Sequence, residues 1–124
     1  MKTDLRKRIL VTDLKKAKQA KLWPRIAKEL ERSTKNLTQI NISKIQKNIR
    51  DDEIALVPGK VLSLGNMEKK LTIAAYNFSE AALEKINKNG KAILIEELLK
   101  QNPKGNKVRI IKWKHQKFLI RWLS

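Results

Sequence analysis

The sequence predicts a mixed α/β fold, with helices at the N-terminus followed by short strands alternating with short helices. Three observations predict it. Apolar residues recur at helical spacing between Asp4 and Arg32. Short continuous apolar runs, bounded by Pro, Gly and polar residues, begin at Ile54. The charge is gathered at the two ends around a nearly neutral middle. A length of 124 residues fits one domain. With 41% hydrophobic and 33% charged residues, the chain reads as globular with a heavily charged surface.

Asp4 to Ala20 reads as an amphipathic helix in which Leu5, Ile9, Leu10, Leu14 and Ala17 repeat at helical spacing. Arg6, Lys7, Arg8, Lys15, Lys16 and Lys18 lie around the rest of its circumference. A second helix starts near Pro24, a residue suited to a first turn, and runs to about Arg32 with Ile26, Ala27 and Leu30 on one face. Residues 33–38 read as a polar loop. Ser43 can cap a short helix to about Ile49, with Ile45 and Ile49 inward.

The pattern then changes. Ile54 to Val57 is a short apolar run that suits a buried strand; Pro58 and Gly59 break it, and Lys60 to Leu62 resumes. Leu71 to Ala75 is a second buried strand. Ser79 is an N-cap for a helix through Ile86, with Ala82, Leu83 and Ile86 inside, ended by Asn89 and a C-terminal Gly90. Ala92 to Leu94 reads as a strand and Glu96 to Lys100 as a helix. Asn102, Pro103 and Gly105 make a turn, and Val108 to Ile111 is a last strand. No block recurs as an internal repeat.

The net charge of +17 dominates the functional reading. Residues 1–50 carry +11, residues 51–100 carry −1 and residues 101–124 carry +7. Self-repulsion of this size destabilises a compact isolated chain, and a polyanion relieves it. Twenty-two basic against four acidic residues in the two ends form an electrostatic footprint for nucleic acid.

Other classes are poorly served. There is no cysteine, hence no disulfide, thiolate site or cysteine nucleophile; this fits a reducing compartment. No run of apolar residues is long enough for a membrane span, and no secretory signal is expected. His115 is the only histidine, so no metal site is expected. Asp51, Asp52 and Glu53 are adjacent in a turn, where carboxylates splay apart and do not share a pocket. Glu96 and Glu97 suit the first turn of a helix. Gly59 and Gly65 have phosphate-loop spacing, but Asn66 and Met67 stand where Lys and Ser or Thr are needed. No nucleophile–base set is present, and no enzyme is expected.

Trp23, Tyr76 and Phe78 read as packing residues. From Lys112 to Leu123, Trp113, Phe118 and Trp122 interleave with Lys112, Lys114, Lys117 and Arg121. Such a segment suits RNA stacking, an interfacial membrane helix or packing against a partner protein, and the sequence does not choose among them.

The residues Asn41 to Ile45, the run Val57 to Leu62 with Gly65 after it, and Leu71 to Ala75 with Phe78 and Ser79 occur in that order. Glu96 to Leu99, Asn102 to Gly105 and Val108 to Ile111 follow, and Leu22 to Leu30 stands upstream. Together they resemble the archaeal and eukaryotic large-subunit ribosomal protein family L eighteen e, counterpart of the bacterial L fifteen, over roughly residues 4–111. The resemblance implies N-terminal helices and then an irregular layered array of short strands and helices. It implies a structural constituent of the large ribosomal subunit in the cytoplasm, bound to large-subunit ribosomal RNA and neighbouring ribosomal proteins. No catalysis, cofactor, metal or small-molecule substrate goes with it, and no membrane is expected. The compact length resembles the archaeal members.

Carried onto this chain, the resemblance points to Lys44, Lys60, Lys104 and Arg109 as RNA-facing residues. Arg6, Lys7, Arg8, Lys15, Lys16 and Lys18 join them on charge and helical phase, and Lys112 and Lys114 on the basic end. Residues 1–111 are expected to form one domain. Residues 112–124 run on past the family pattern as a basic aromatic tail without a family role, and an extra RNA or protein contact is the expectation for them. A non-ribosomal, chromatin-type nucleic-acid binder shares the charge logic; it would bind duplex DNA as well as RNA.

Overall fold

The computed structural model describes residues 2–31 and 38–111. The N-terminal helices are α1 (Lys2–Lys16) and α2 (Leu22–Glu31). After them come β1 (Thr38–Asn41), α3 (Ile42–Lys47), β2 (Ile54–Leu62), β3 (Thr72–Phe78), α4 (Glu80–Asn89), β4 (Lys91–Leu94), α5 (Ile95–Gln101) and β5 (Val108–Ile110). The strands form one five-stranded sheet in the order β1-β2-β3-β4, with β5 also on β2. Every pair is parallel. β5 pairs with residues 54–56 of β2 and β1 with residues 59–62, so the two lie end to end along one edge of the central strand.

A parallel sheet is buried on both faces, which explains why its strands read as continuous apolar runs. Alternate residues of each strand enter different cores. Ala55, Val57, Ile73 and Ala75 join Ile42, Ile45, Ala82 and Ile86 under α3 and α4. Leu56, Ala74, Tyr76 and Ile93 join Leu10, Leu14, Trp23, Ile26, Leu30 and Leu98 under α1, α2 and α5. The expected layered array is therefore a helix–sheet–helix sandwich.

Several expectations are corrected in detail. α1 stops at Lys16, short of Ala20. Its buried stripe is Leu10, Val11 and Leu14, while Leu5 and Ile9 are 66% and 55% exposed. Apolar residues occur on two stripes of this helix, and only one can face the sheet. α2 begins at Leu22, with Pro24 still inside the first turn, where a missing N–H costs no intrahelical bond. β1 was not expected, because Thr38, Gln39 and Asn41 are polar and the strand is only four residues long. Asn41, not Ser43, stands at the N-cap position of α3, and its side chain instead accepts from the Leu64 amide at 3.2 Å. In α4 the Ser79 hydroxyl accepts from the Ala82 amide at 3.1 Å, as expected, but Leu83 is 37% exposed.

Pro58 and Gly59 do not end the strand. β2 runs through them with a register shift: Val57 pairs with Ala75 and Lys60 with Asn77, so β2 carries one extra residue. Proline lacks the N–H a ladder needs, and a bulge is where a central strand tolerates it. Gly90 closes α4 but not in the left-handed conformation, since its φ is −139°. It is glycine because a Cβ there would overlap the Leu71 carbonyl.

Candidate nucleic-acid interface

The basic residues fall into two groups. One group is paired with carboxylates and carbonyls of the fold itself. Arg6 Nε and Nη2 donate to the two Glu96 carboxylate oxygens at 2.8 and 3.0 Å, and Nη2 also donates to the Tyr76 carbonyl at 2.8 Å. The guanidinium lies 4.2 Å from the centroid of the Tyr76 ring. Tyr76 is one residue past the last β3–β4 pair, Ala75 with Leu94, and its carbonyl takes an arginine instead of a strand amide. The Glu96 hydrogen bond raises the Arg6 pKa against the opposing effect of burial. Burial pushes Glu96 up, but the Arg6 bond and a backbone bond outweigh it and leave the carboxyl below its ordinary value.

Arg109 on β5 makes the same kind of fork with Glu53, at 2.8 and 3.0 Å. That fork, helped by the Arg50 amide, lowers Glu53 from 4.5 to about 2 and raises Arg109. The acidic triplet splays as expected, but each carboxylate finds a cation: Asp51 meets Lys69 at 3.8 Å, Asp52 meets Lys107 at 3.9 Å and Glu53 meets Arg109.

Two lysines not singled out from sequence close loops. Lys69 Nζ donates to the Gln46 and Ile49 carbonyls at 3.3 and 3.2 Å, neutralising the end of α3. Lys85 Nζ donates to the Ser63 and Gly65 carbonyls at 2.8 and 3.0 Å. Both partners lie some twenty residues away, and no local pattern marks them.

The second group stands on the surface. Lys7, Arg8 and Lys15 line a concavity of about 410 Å³ between α1 and the end of α2, with Val11, Thr12 and Glu31. Lys15 meets Glu31 there at 2.7 Å. Lys16 and Lys18 are exposed nearby. Lys21, just before α2, and Arg25 and Lys28 on it are exposed as well. Their spacing is helical, and the phase argument applied to the first helix would have found them. A second concavity of about 410 Å³ lies between α3 and the loop after β2, lined by Ser43, Gln46, Lys47, Asn66, Glu68 and Lys69. Lys44 is exposed on α3, Lys60 is half-buried on β2, and Lys104 is exposed in the turn before β5. The structure thus gathers the α1 and α2 cations on one side of the sandwich. It leaves Lys44, Lys60 and Lys104 as separate points. Lys112, Lys114 and the rest of the 112–124 segment lie outside the described residues.

Among the described residues, no group of three or more His, Cys, Asp or Glu is placed to hold a metal ion. No helix among them is long and apolar enough to cross a membrane.

Comparison with known proteins adds the following. Residues 16–94 match the family model described as ribosomal proteins 50S-L15, 50S-L18e and 60S-L27a. The large ribosomal subunit protein eL18 of Methanosphaerula palustris is 46% identical over 115 residues, 90% of this chain and 95% of its own. That of Methanospirillum hungatei is 42% identical over 104 residues, covering 83% of this chain and 86% of its own. That of Thermoplasma acidophilum is 43% identical over 94 residues, 75% of this chain and 78% of its own.

Proposed function

We infer what this surface does from the family to which the chain belongs, the ribosomal proteins 50S-L15, 50S-L18e and 60S-L27a. The chain is a structural constituent of the large ribosomal subunit of the cytoplasm, with ribosomal RNA and ribosomal proteins as its partners. The family is not an enzyme family, and we assign the chain no catalytic activity.

The α1–α2 layer is the main RNA-binding face. The observation that carries this reading is that Arg8, Lys16, Lys18, Lys21, Arg25 and Lys28 all stand exposed on one helical layer whose other side is a packed core. Such cations neutralise phosphates and position the protein without reading base sequence. Specificity comes from the shape of the folded RNA. Lys44, Lys60 and Lys104 supply further phosphate contacts from other elements, so that one rigid body ties together several RNA segments. Arg6 and Arg109 brace the fold through Glu96 and Glu53. The basic 112–124 segment adds a contact of its own to RNA or to a neighbouring protein.

The test is an RNA-binding titration across salt. Replacing Arg8, Lys16 and Lys18 together by Ala should leave the circular-dichroism spectrum intact. It should lower the slope of log affinity against log salt by about two to three. An unchanged slope with an intact fold would remove this face from the RNA interface.

A further inference from the structure

β4 stands at one edge of the sheet and, among the described residues, pairs only with β3. Successive residues of a strand turn their backbone amides to opposite sides. The Lys91 amide donates to the Leu71 carbonyl at 2.9 Å, on the β3 side. Alternation puts the Ile93 amide on that side too, and sends the amides of Ala92 and Leu94 outward. An outward row of donors is a template on which another strand can form.

Both outward donors are taken by side chains. The Ala92 amide donates to Oδ1 of Asn87, in the last turn of α4, at 3.2 Å. The Leu94 amide donates to Oε1 of Glu97, in the first turn of α5, at 3.2 Å. Leu94 is the N-cap of α5, so the Glu97 bond also orients the start of that helix. The Asn87 bond caps no helix, because α4 is closed by the Gly90 amide on the Ile86 carbonyl. α4 packs on one face of the sheet through Ala82 and Ile86, and α5 on the other through Ile95 and Leu98. Two helices on opposite faces therefore each send one oxygen round to the same edge. The edge itself is open to solvent, since Asn87, Lys91 and Glu97 are exposed.

We propose that Asn87 and Glu97 close the outer edge of β4 to strand addition, and that the strand they exclude is β4 of a second copy of this chain. A two-fold contact sets one edge against its own copy, so the same two side chains block it from both sides. A net charge of +17 already holds free copies apart. That protection goes when a polyanion neutralises the charge, whereas two hydrogen bonds within the chain persist.

The experiment compares the full chain with Asn87→Ala/Glu97→Ala and with Asn87→Asp/Glu97→Gln. Each is followed by sedimentation velocity over a range of protein concentrations in about 1 M salt, where the screening length is about 3 Å. The double-alanine variant loses both acceptor oxygens and gains one positive charge, so repulsion alone would make it associate less. The conservative variant keeps an acceptor oxygen at each position and the same net charge. The double-alanine variant, folded by circular dichroism, should dimerise, while the wild type and the conservative variant stay monomeric. Its dimer should protect the Ala92 and Leu94 amides from hydrogen exchange. A folded double-alanine variant that stays monomeric overturns the proposal. So does a wild type or conservative variant that dimerises, or a dimer in which both amides exchange freely. If the double-alanine variant does not fold, hydrogen exchange on the wild type decides. Its Ala92 and Leu94 amides should exchange at least about fivefold more slowly than exposed amides, and exchange at the exposed rate overturns the closure.

Discussion

Replacing Arg6 by Ala separates two roles that its charge alone would confuse. The side chain makes a forked pair to Glu96, a bond to the Tyr76 carbonyl and a ring contact. Shielded charge-assisted hydrogen bonds are worth about 1.5–3 kcal/mol, and exposed ion pairs about 0.2–1 kcal/mol. The side chains of Arg6 and Glu96 are 35% and 32% exposed, so solvent screening brings the pair down to the low end of that span. We take about 1 kcal/mol for it. The ring contact adds about 0.5 kcal/mol, and the orphaned Tyr76 carbonyl about the same. Arg6→Ala should therefore destabilise the fold by about 2 kcal/mol, a fall in Tm of roughly 6–12 °C for a chain of this size. Thermal unfolding followed by circular dichroism reads this directly. A double-mutant cycle with Glu96→Gln should return a coupling of about 1 kcal/mol. The salt slope of RNA binding should not move, because the guanidinium is already occupied. An unchanged Tm together with a slope reduced by about one would refute the reasoning and return Arg6 to the RNA face.

Three further outcomes are expected. Glu53 has its pKa lowered from 4.5 to about 2 in the folded chain, so the unfolded chain binds the extra proton and stability rises with pH across that interval. The Glu53–Arg109 contribution is complete above about pH 4.5 and lost as pH falls towards 2; Glu53→Gln should flatten the Tm–pH curve there, and parallel curves for the two proteins would argue against it. Gly90→Ala should cost about 1–3 kcal/mol by chemical denaturation, since its methyl group meets the Leu71 carbonyl and one backbone segment must move. Trp23→Phe keeps most of the buried ring but loses the 2.7 Å bond from Nε1 to the Pro103 carbonyl, and should cost about 1–2 kcal/mol. Hydrogen exchange should rise at Gly105 and at Ile54, whose amides bond within and beside that turn; protection unchanged at both would deny the bond a structural role.

The sequence announced what depends on neighbours a few residues away. Ser79 as a cap, α2 with Ile26, Ala27 and Leu30 inward, and the apolar runs of β2 and β3 all follow from local spacing. What could not be read there depends on partners far along the chain. Gly90 ends α4 as expected, but the reason it is glycine is a close approach to Leu71. Arg6 and Arg109 counted as surface charge, but their carboxylate partners lie 90 and 56 residues away. β1 is too polar to announce itself, and becomes a strand because β2 offers an unpaired edge over residues 59–62. The candidate site divides in the same way: charge totals find a basic face, while only the fold shows that Arg6 meets Glu96 and Arg109 meets Glu53.

The placing of β5 has a consequence for the order in which the chain is made. Ile54, Ala55 and Leu56 pair on one side with Val108, Arg109 and Ile110, residues synthesised more than fifty positions later. Until those last residues leave the exit tunnel, that stretch of the central strand presents an apolar, unpaired edge to everything around it. The edge closes only after more than fifty further residues have been made, since its partner is Val108 to Ile110. A nascent chain stalled anywhere before Val108 would be both strongly basic and sticky along one strand. Rapid capture by a chaperone, or a prompt meeting with its polyanion, matters most in that interval.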